Sequence, residues 1–126
     1  MTGLPVPARD IRVRFHRVNC AGHFAHFTVD FEPPREGGTG EFLSTAPRDE
    51  LPDEFTGPLW TGVRQGLDGV SARVIVTAGR AHPTDSSGRS YLIAGYLAGR
   101  AALVVAGLLP PHEAPPQRDV TWPGRT

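Results

Sequence analysis

The stretch from Val70 to Leu103, VSARVIVTAGRAHPTDSSGRSYLIAGYLAGRAAL, decides how this chain is read. Its first third is rich in Val and Ile. Val70, Val74 and Val76 share one register and Ile75 lies on the other, which marks a buried strand over Val70 to Thr77. Gly79 marks a turn at the strand's end. Asp85, Ser86 and Ser87 are short acceptors able to serve the free amides of a helix's first turn, with Asp85 or Ser86 expected as the cap. The helix then runs on until Gly107 and Pro110-Pro111 stop it.

Upstream, Ile11, Val13 and Phe15 alternate with Arg12, Arg14 and His16. That is a strand with one apolar and one basic face. Asn19 to Gly22 reads as a turn. The alternation resumes with Phe27, Val29 and Phe31 against His26, Thr28, Asp30 and Glu32, giving a second antiparallel strand with one wet face. Glu41 to Thr45 reads as a short third strand after the flexible PPREGGTG connection at 33–40. Phe55, Leu59, Val63 and Leu67 recur every four residues and predict a helix. Pro58 lacks an amide hydrogen, so the regular helix is expected to start near it.

The expected class is therefore α+β, with a four-stranded sheet carrying two helices on one face, in the order β-β-β-α-β-α. Residues 1–9 read as a flexible lead-in, 10–108 as one domain, and 109–126 as a Pro-rich tail without order.

The 126 residues suffice for one domain of ordinary size. Thirteen basic and 13 acidic residues leave a formal net charge of zero, so no global field holds nucleic acid and any such contact is local. Every basic residue is Arg. Coding bias explains this, although Arg also makes the planar paired contacts to phosphate that Lys cannot. The lone Cys20 forms no internal disulfide and suits a reducing cytoplasm. The N-terminal MTGLPVPARD lacks the pattern of a signal peptide. Tyr91 to Leu109 is apolar, with Gly95 and Gly99 at GxxxG spacing. Arg100 near its middle and its capped polar start argue for packing on a sheet rather than spanning a bilayer.

No metal or cofactor is expected. His23 and His26 fall on opposite sides of their strand and cannot grip one ion. Cys20 and His23 lack an orienting third group, so no nucleophilic pair is read there. Asp53 and Glu54 suit the positive end of a helix. The face of Arg12, Arg14 and His16, with Trp60, is a candidate partner surface. It reads equally as a solvated sheet edge.

Several landmarks occur in a fixed order: Gly22-His23, Phe31-Glu32-Pro33, Leu51-Pro52-Asp53-Glu54-Phe55, Gly62 and GRAHPTDSS at 79–87. Together they resemble the fourth domain of the bacterial translocation factor, elongation factor G, from about Ile11 to Leu103. The tetracycline-resistance ribosomal protection proteins share that domain, but their tip loop lacks the Asp-Ser-Ser pattern. The resemblance implies a fold like domain 2 of ribosomal protein S5, with a strand–helix–strand crossover of the uncommon left hand. It also implies that Gly79, Arg80, His82, Asp85, Ser86 and Ser87, with Gly22 and His23 beside them, form a ribosome- or RNA-binding tip.

Two departures stand out. The first tip segment, Val18 to Ala25, is shorter than the family's Gly-rich loop, and the Asp68-Gly69 link is clipped. No GxxxxGK[ST] phosphate loop occurs, so the chain binds no GTP and is expected not to be an enzyme. The starting Met1 and the Pro-rich tail favour a free-standing cytoplasmic protein. The expected partner is the ribosome, ribosomal RNA or tRNA, in a translation role. The alternative is a protein-interaction module that keeps the fold without the ribosome.

Overall fold

A computed structural model describes residues 2–18 and 22–125. The turn expected at Asn19–Gly22 and the thiol of Cys20 lie largely outside the described residues. The elements run β1 (Thr2–Gly3), β2 (Ala8–Arg17), β3 (His23–Glu32), β4 (Glu41–Ser44), α1 (Asp53–Leu67), β5 (Val70–Ser71), β6 (Arg73–Arg80), α2 (Gly88–Val105) and β7 (Val120–Thr121), with a 3-10 turn over Pro111–Glu113. The class is α+β with two helices.

The sheet differs from the expected four strands. It has five, in the order β4-β6-β3-β2-β7, and β1 pairs with β5 in a separate two-stranded ribbon. The pairs β2–β3, β3–β6 and β2–β7 are antiparallel, whereas β4 and β6 are parallel neighbours joined through α1. The strand expected over Val70 to Thr77 is divided. Val70 and Ser71 pair with Thr2 and Gly3, and only from Arg73 does the chain enter the main sheet.

Alternation in β2 and β3 is kept as read. Ile11, Val13, Phe15, Phe27, Val29 and Phe31 are buried against the helices, and Val74 and Val76 of β6 join them. Full burial of such side chains contributes roughly 1.5–3 kcal/mol each. The stripe of Phe55, Leu59, Val63 and Leu67 on α1 is also buried.

The start of α1 is a correction. The helix begins at Asp53, upstream of Pro58, which sits inside it. Proline removes a single bond there, to the carbonyl of the exposed Glu54. Burial of Leu51 and Phe55 on either side of the first turn outweighs that loss.

The ends are a second correction. Leu4 is buried, so the lead-in is tied down by β1 and its own side chain. Beyond Leu109 the chain returns to the sheet. Val13 pairs with Val120 and Arg12 with Thr121. The Arg17 guanidinium donates to both carboxylate oxygens of the buried Asp119 at 3.0 Å. Prolines restrict the unfolded chain, so ordering this segment costs less entropy than its lack of periodicity suggested.

Helix α2 lies over β2 and β3 and along α1. Gly95 and Gly99 of α2 face Gly62 and Gly66 of α1. A Cβ at Gly95 would stand 2.5 Å from the carbonyl oxygen of Leu59, and one at Gly99 2.6 Å from that of Val63. The GxxxG spacing therefore serves a backbone-close helix crossing inside the fold. Among the described residues, no helix is long and apolar enough to cross a membrane.

Candidate functional site

Antiparallel pairing brings the start of β3, the end of β6 and the start of α2 to one end of the sheet. His26 pairs with Arg80, and Phe27 with Gly79. The strand β6 therefore runs through Gly79, where a turn was expected. A side chain at Gly79 would meet the Glu50 carbonyl at 3.0 Å, so glycine is needed there for close approach of the 47–51 segment. The Gly79 amide donates to a Glu50 carboxylate oxygen at 3.1 Å. Glu50 was not legible as a partner, because its contact spans an unpatterned loop.

The loop from Ala81 to Ser87 is built from short polar side chains bonding to backbone. Ser87, one or two residues beyond the expected cap, is extended at φ −148° and accepts from the Ser90 amide. Ser86 has another task. Its hydroxyl donates to the Phe24 carbonyl at 2.6 Å and accepts from the His82 amide at 2.8 Å. The Phe24 amide donates to the Asp85 carbonyl at 3.2 Å. Segments 22–24 and 85–86 are thus tied edge to edge. Gly22 permits this, since a Cβ there would stand 2.8 Å from an Asp85 carboxylate oxygen.

The expected site residues divide into two groups. Arg80 and His82 are exposed at the sheet end. The His82 Nδ1 accepts from the amides of Thr84 and Asp85, which leaves Nε2 as the outward ring nitrogen. The Arg80 guanidinium lies 5.8 Å from the centre of the Phe24 ring, and His82 packs on the same ring at 5.6 Å. Gly22, His23, Gly79, Asp85, Ser86 and Ser87 are partly buried around them. His23 Nδ1 is 2.8 Å from the hydroxyl of the buried Ser90. Tyr91, fully buried and stacked on Phe55 at 4.7 Å, fills the space under the loop.

The side of the sheet away from the helices is open. Arg12, Arg14 and His16 pair with Thr28, His26 and Phe24 across β2 and β3. Phe24 is only 6% exposed, because His26 stacks on it at 4.0 Å and His16 edges against it at 5.2 Å. Burial first, then the charges of His16, Arg14 and Arg80, push the His26 imidazole below its ordinary value. Trp60 does not share this patch. It packs on Phe42 of β4 at the opposite side of the sheet. Phe24 supplies the aromatic body instead, and its place on the wet register follows from counting by twos back from His26.

No family model matches the chain. It is 32% identical over 104 aligned positions to elongation factor G 2 of Streptomyces coelicolor, an alignment that takes in 71% of this chain and 15% of that protein. It is 30% identical over 93 positions to elongation factor G of Dehalococcoides mccartyi, covering 68% of this chain and 13% of the relative. A crystal structure of a protein from Thermus thermophilus shares the fold, with a TM-score of 0.61 at 17% identity over 75% of this chain and 16% of that one. The chain is therefore a homologue of elongation factor G that matches a single domain of that much longer protein.

Proposed function

We propose that this chain is a ribosome- or RNA-directed module corresponding to the fourth, tip-forming domain of elongation factor G, with the S5-domain-2-like fold and its left-handed crossover. It acts in the cytoplasm by occupancy rather than by chemistry. No Lys-bearing phosphate loop is present in its sequence, so it binds no GTP itself. Arg80 and His82 meet RNA, and the start of α2 stands beside them. Gly79, Asp85, Ser86, Ser87, Gly22 and His23 hold that edge in shape.

One observation carries the reading. The 81–87 loop is stitched to the start of β3 through Ser86 and Asp85, so exposed Arg80 and His82 stand on a braced base. Preorganised donors lose less entropy on binding than mobile ones. A protein-interaction module is the competing reading, supported by the zero net charge. Salt separates the two, since phosphate contacts weaken roughly one power of salt per phosphate and an apolar interface barely responds.

The test is sedimentation of the purified protein with ribosomes at low and high salt. The informative variant is Arg80→Ala with His82→Asn, because Asn keeps a local acceptor for the Thr84 and Asp85 amides. Its ribosome binding should drop about ten-fold or more at unchanged melting temperature. Undiminished binding removes the assignment of these residues.

A further inference from the structure

The open side of the sheet is divided by charge. Away from the loop end, acids and bases cancel. Arg9 binds Glu32 at 2.6 Å, and Glu41 lies within 3.5 Å of Arg35 and 3.7 Å of Arg73. Towards the loop end, Arg14, His26 and Arg80 stand in one row across β2, β3 and β6. Arg12 lies two residues along β2 from Arg14 and His16 two residues the other way. Arg14 and Arg80 make no ion pair among the described residues, and Arg12 has only the exposed Asp10 at 3.5 Å. The Nε2 of His26 is buried without a hydrogen-bond partner among the described residues. The small side chains of Thr28 and Ala78 floor a hollow of about 230 Å3 between these cations.

We propose that this cationic row is a second RNA contact, which takes the phosphate backbone of a strand crossing β2, β3 and β6 beside the loop. This rests on the RNA-directed reading above and extends it from the loop to the sheet. Alternate residues on a strand are roughly 7 Å apart and adjacent strands about 5 Å. Arg12, Arg14 and Arg80 therefore span a patch wide enough for several phosphates. Guanidinium groups suit phosphate through paired N–H donors. Burial first, and then repulsion from His16, Arg14 and Arg80, disfavours the charged form of His26, and an anion set among these cations relieves the repulsion. Phe24 is covered by His26, so it offers no face for a base and the contact is tolerant of sequence. The neutralised far half of the sheet fixes where the strand runs.

Binding of a short fluorescein-labelled RNA hairpin to the full chain, followed by anisotropy over a salt series, tests this. Arg14→Gln and Arg12→Gln should each weaken binding roughly ten-fold near 0.1 M salt and lower the salt slope by about one. Arg73→Gln, in the neutralised half, should leave both unchanged. Melting curves check that these substitutions keep the fold, as expected for the exposed Arg12 and Arg14 and the partly exposed Arg73. Arg80 belongs to both contacts, so His82→Asn alone reports on the loop. If Arg12 and Arg14 variants bind like the parent while His82→Asn fails, the sheet contact is overturned and the loop reading survives. If the reverse holds, the sheet contact stands and the loop assignment of His82 falls. Absence of RNA binding by the parent overturns both, as does a Glu-rich peptide bound in place of RNA with the same Arg dependence.

Discussion

The seam between α1 and α2 and the loop between β6 and α2 both press distant backbone segments together, by opposite means. In the seam, side chains are missing. Gly62 and Gly66 face Gly95 and Gly99, and carbonyl oxygens occupy the space. In the loop, short side chains are present and directional, with Ser86 joining the Phe24 carbonyl to the His82 amide. Steric closeness of the first kind fails as a whole when one methyl is added, because packed interiors cannot give way locally. Hydrogen-bonded closeness of the second kind loosens bond by bond. The fold therefore rests on the seam, and the loop can carry exposed, partner-facing groups without endangering it.

The strongest way to break this contrast is a pair of identical substitutions. Gly95→Ala places its methyl against the Leu59 carbonyl. Overpacking of this kind costs about 3 kcal/mol, less the roughly 1 kcal/mol that Ala gains in helix propensity. Gly57→Ala, also in a helix, meets nothing within 4 Å beyond its chain neighbours. The following Pro58 ring crowds a Cβ there and offsets the gain in helix propensity, so the net change should stay within about 1 kcal/mol. Thermal melts should therefore differ, falling by roughly 8 °C for Gly95→Ala and by no more than a few degrees for Gly57→Ala. A Gly95→Ala protein that melts higher than the parent would remove the close seam.

Ser86→Ala should have a smaller and more local effect. It deletes two hydrogen bonds in a part-buried position, at a cost of about 1–2 kcal/mol. Amide exchange should quicken at His82 and Phe24 and stay unchanged in the seam. Uniform acceleration throughout would mean that the loop and the seam unfold as one unit.

The seam was the less legible of the two in sequence. The GxxxG spacing of Gly95 and Gly99 was read only as part of a helix packed on a sheet, and their place against Gly62 and Gly66 of a second helix emerges from the fold. Period-two alternation placed Arg12, Arg14, His16 and His26 on the open side correctly, since each such position is decided by its immediate neighbours. Interactions decided far along the chain were invisible. Val120 joins β2 across more than a hundred residues, and Thr2 and Gly3 capture Val70 and Ser71. Neither end carries a pattern, because two-residue strands are too short to show one. The same limit hid the Ser86 bridge. Asp85, Ser86 and Ser87 all suit a helix cap chemically, and only the position of Phe24 assigns the cap to Ser87 and the bridge to Ser86.

The smallest expected effect separates the two ends of the open sheet side by pH. Burial and neighbouring cations hold the folded-state pKa of His26 below its ordinary value near 6.5, which the unfolded chain keeps. The unfolded state therefore binds more protons as pH falls from about 6.5, and the stability that neutral His26 allows is lost as pH drops through the folded-state value. Glu32 works in a lower window. The hydrogen-bonded Arg9 holds its carboxyl below the ordinary 4.5, so the contribution of that pair is present above this pH and fades only as acid protonates it. His26→Gln should flatten the decline of melting temperature just below pH 6.5 and leave the decline below pH 4.5 in place. Glu32→Gln should do the reverse. Loss of both declines in the His26→Gln protein would show that the two halves of the sheet titrate as one cluster, and the charge division that orients a bound strand would then have no basis.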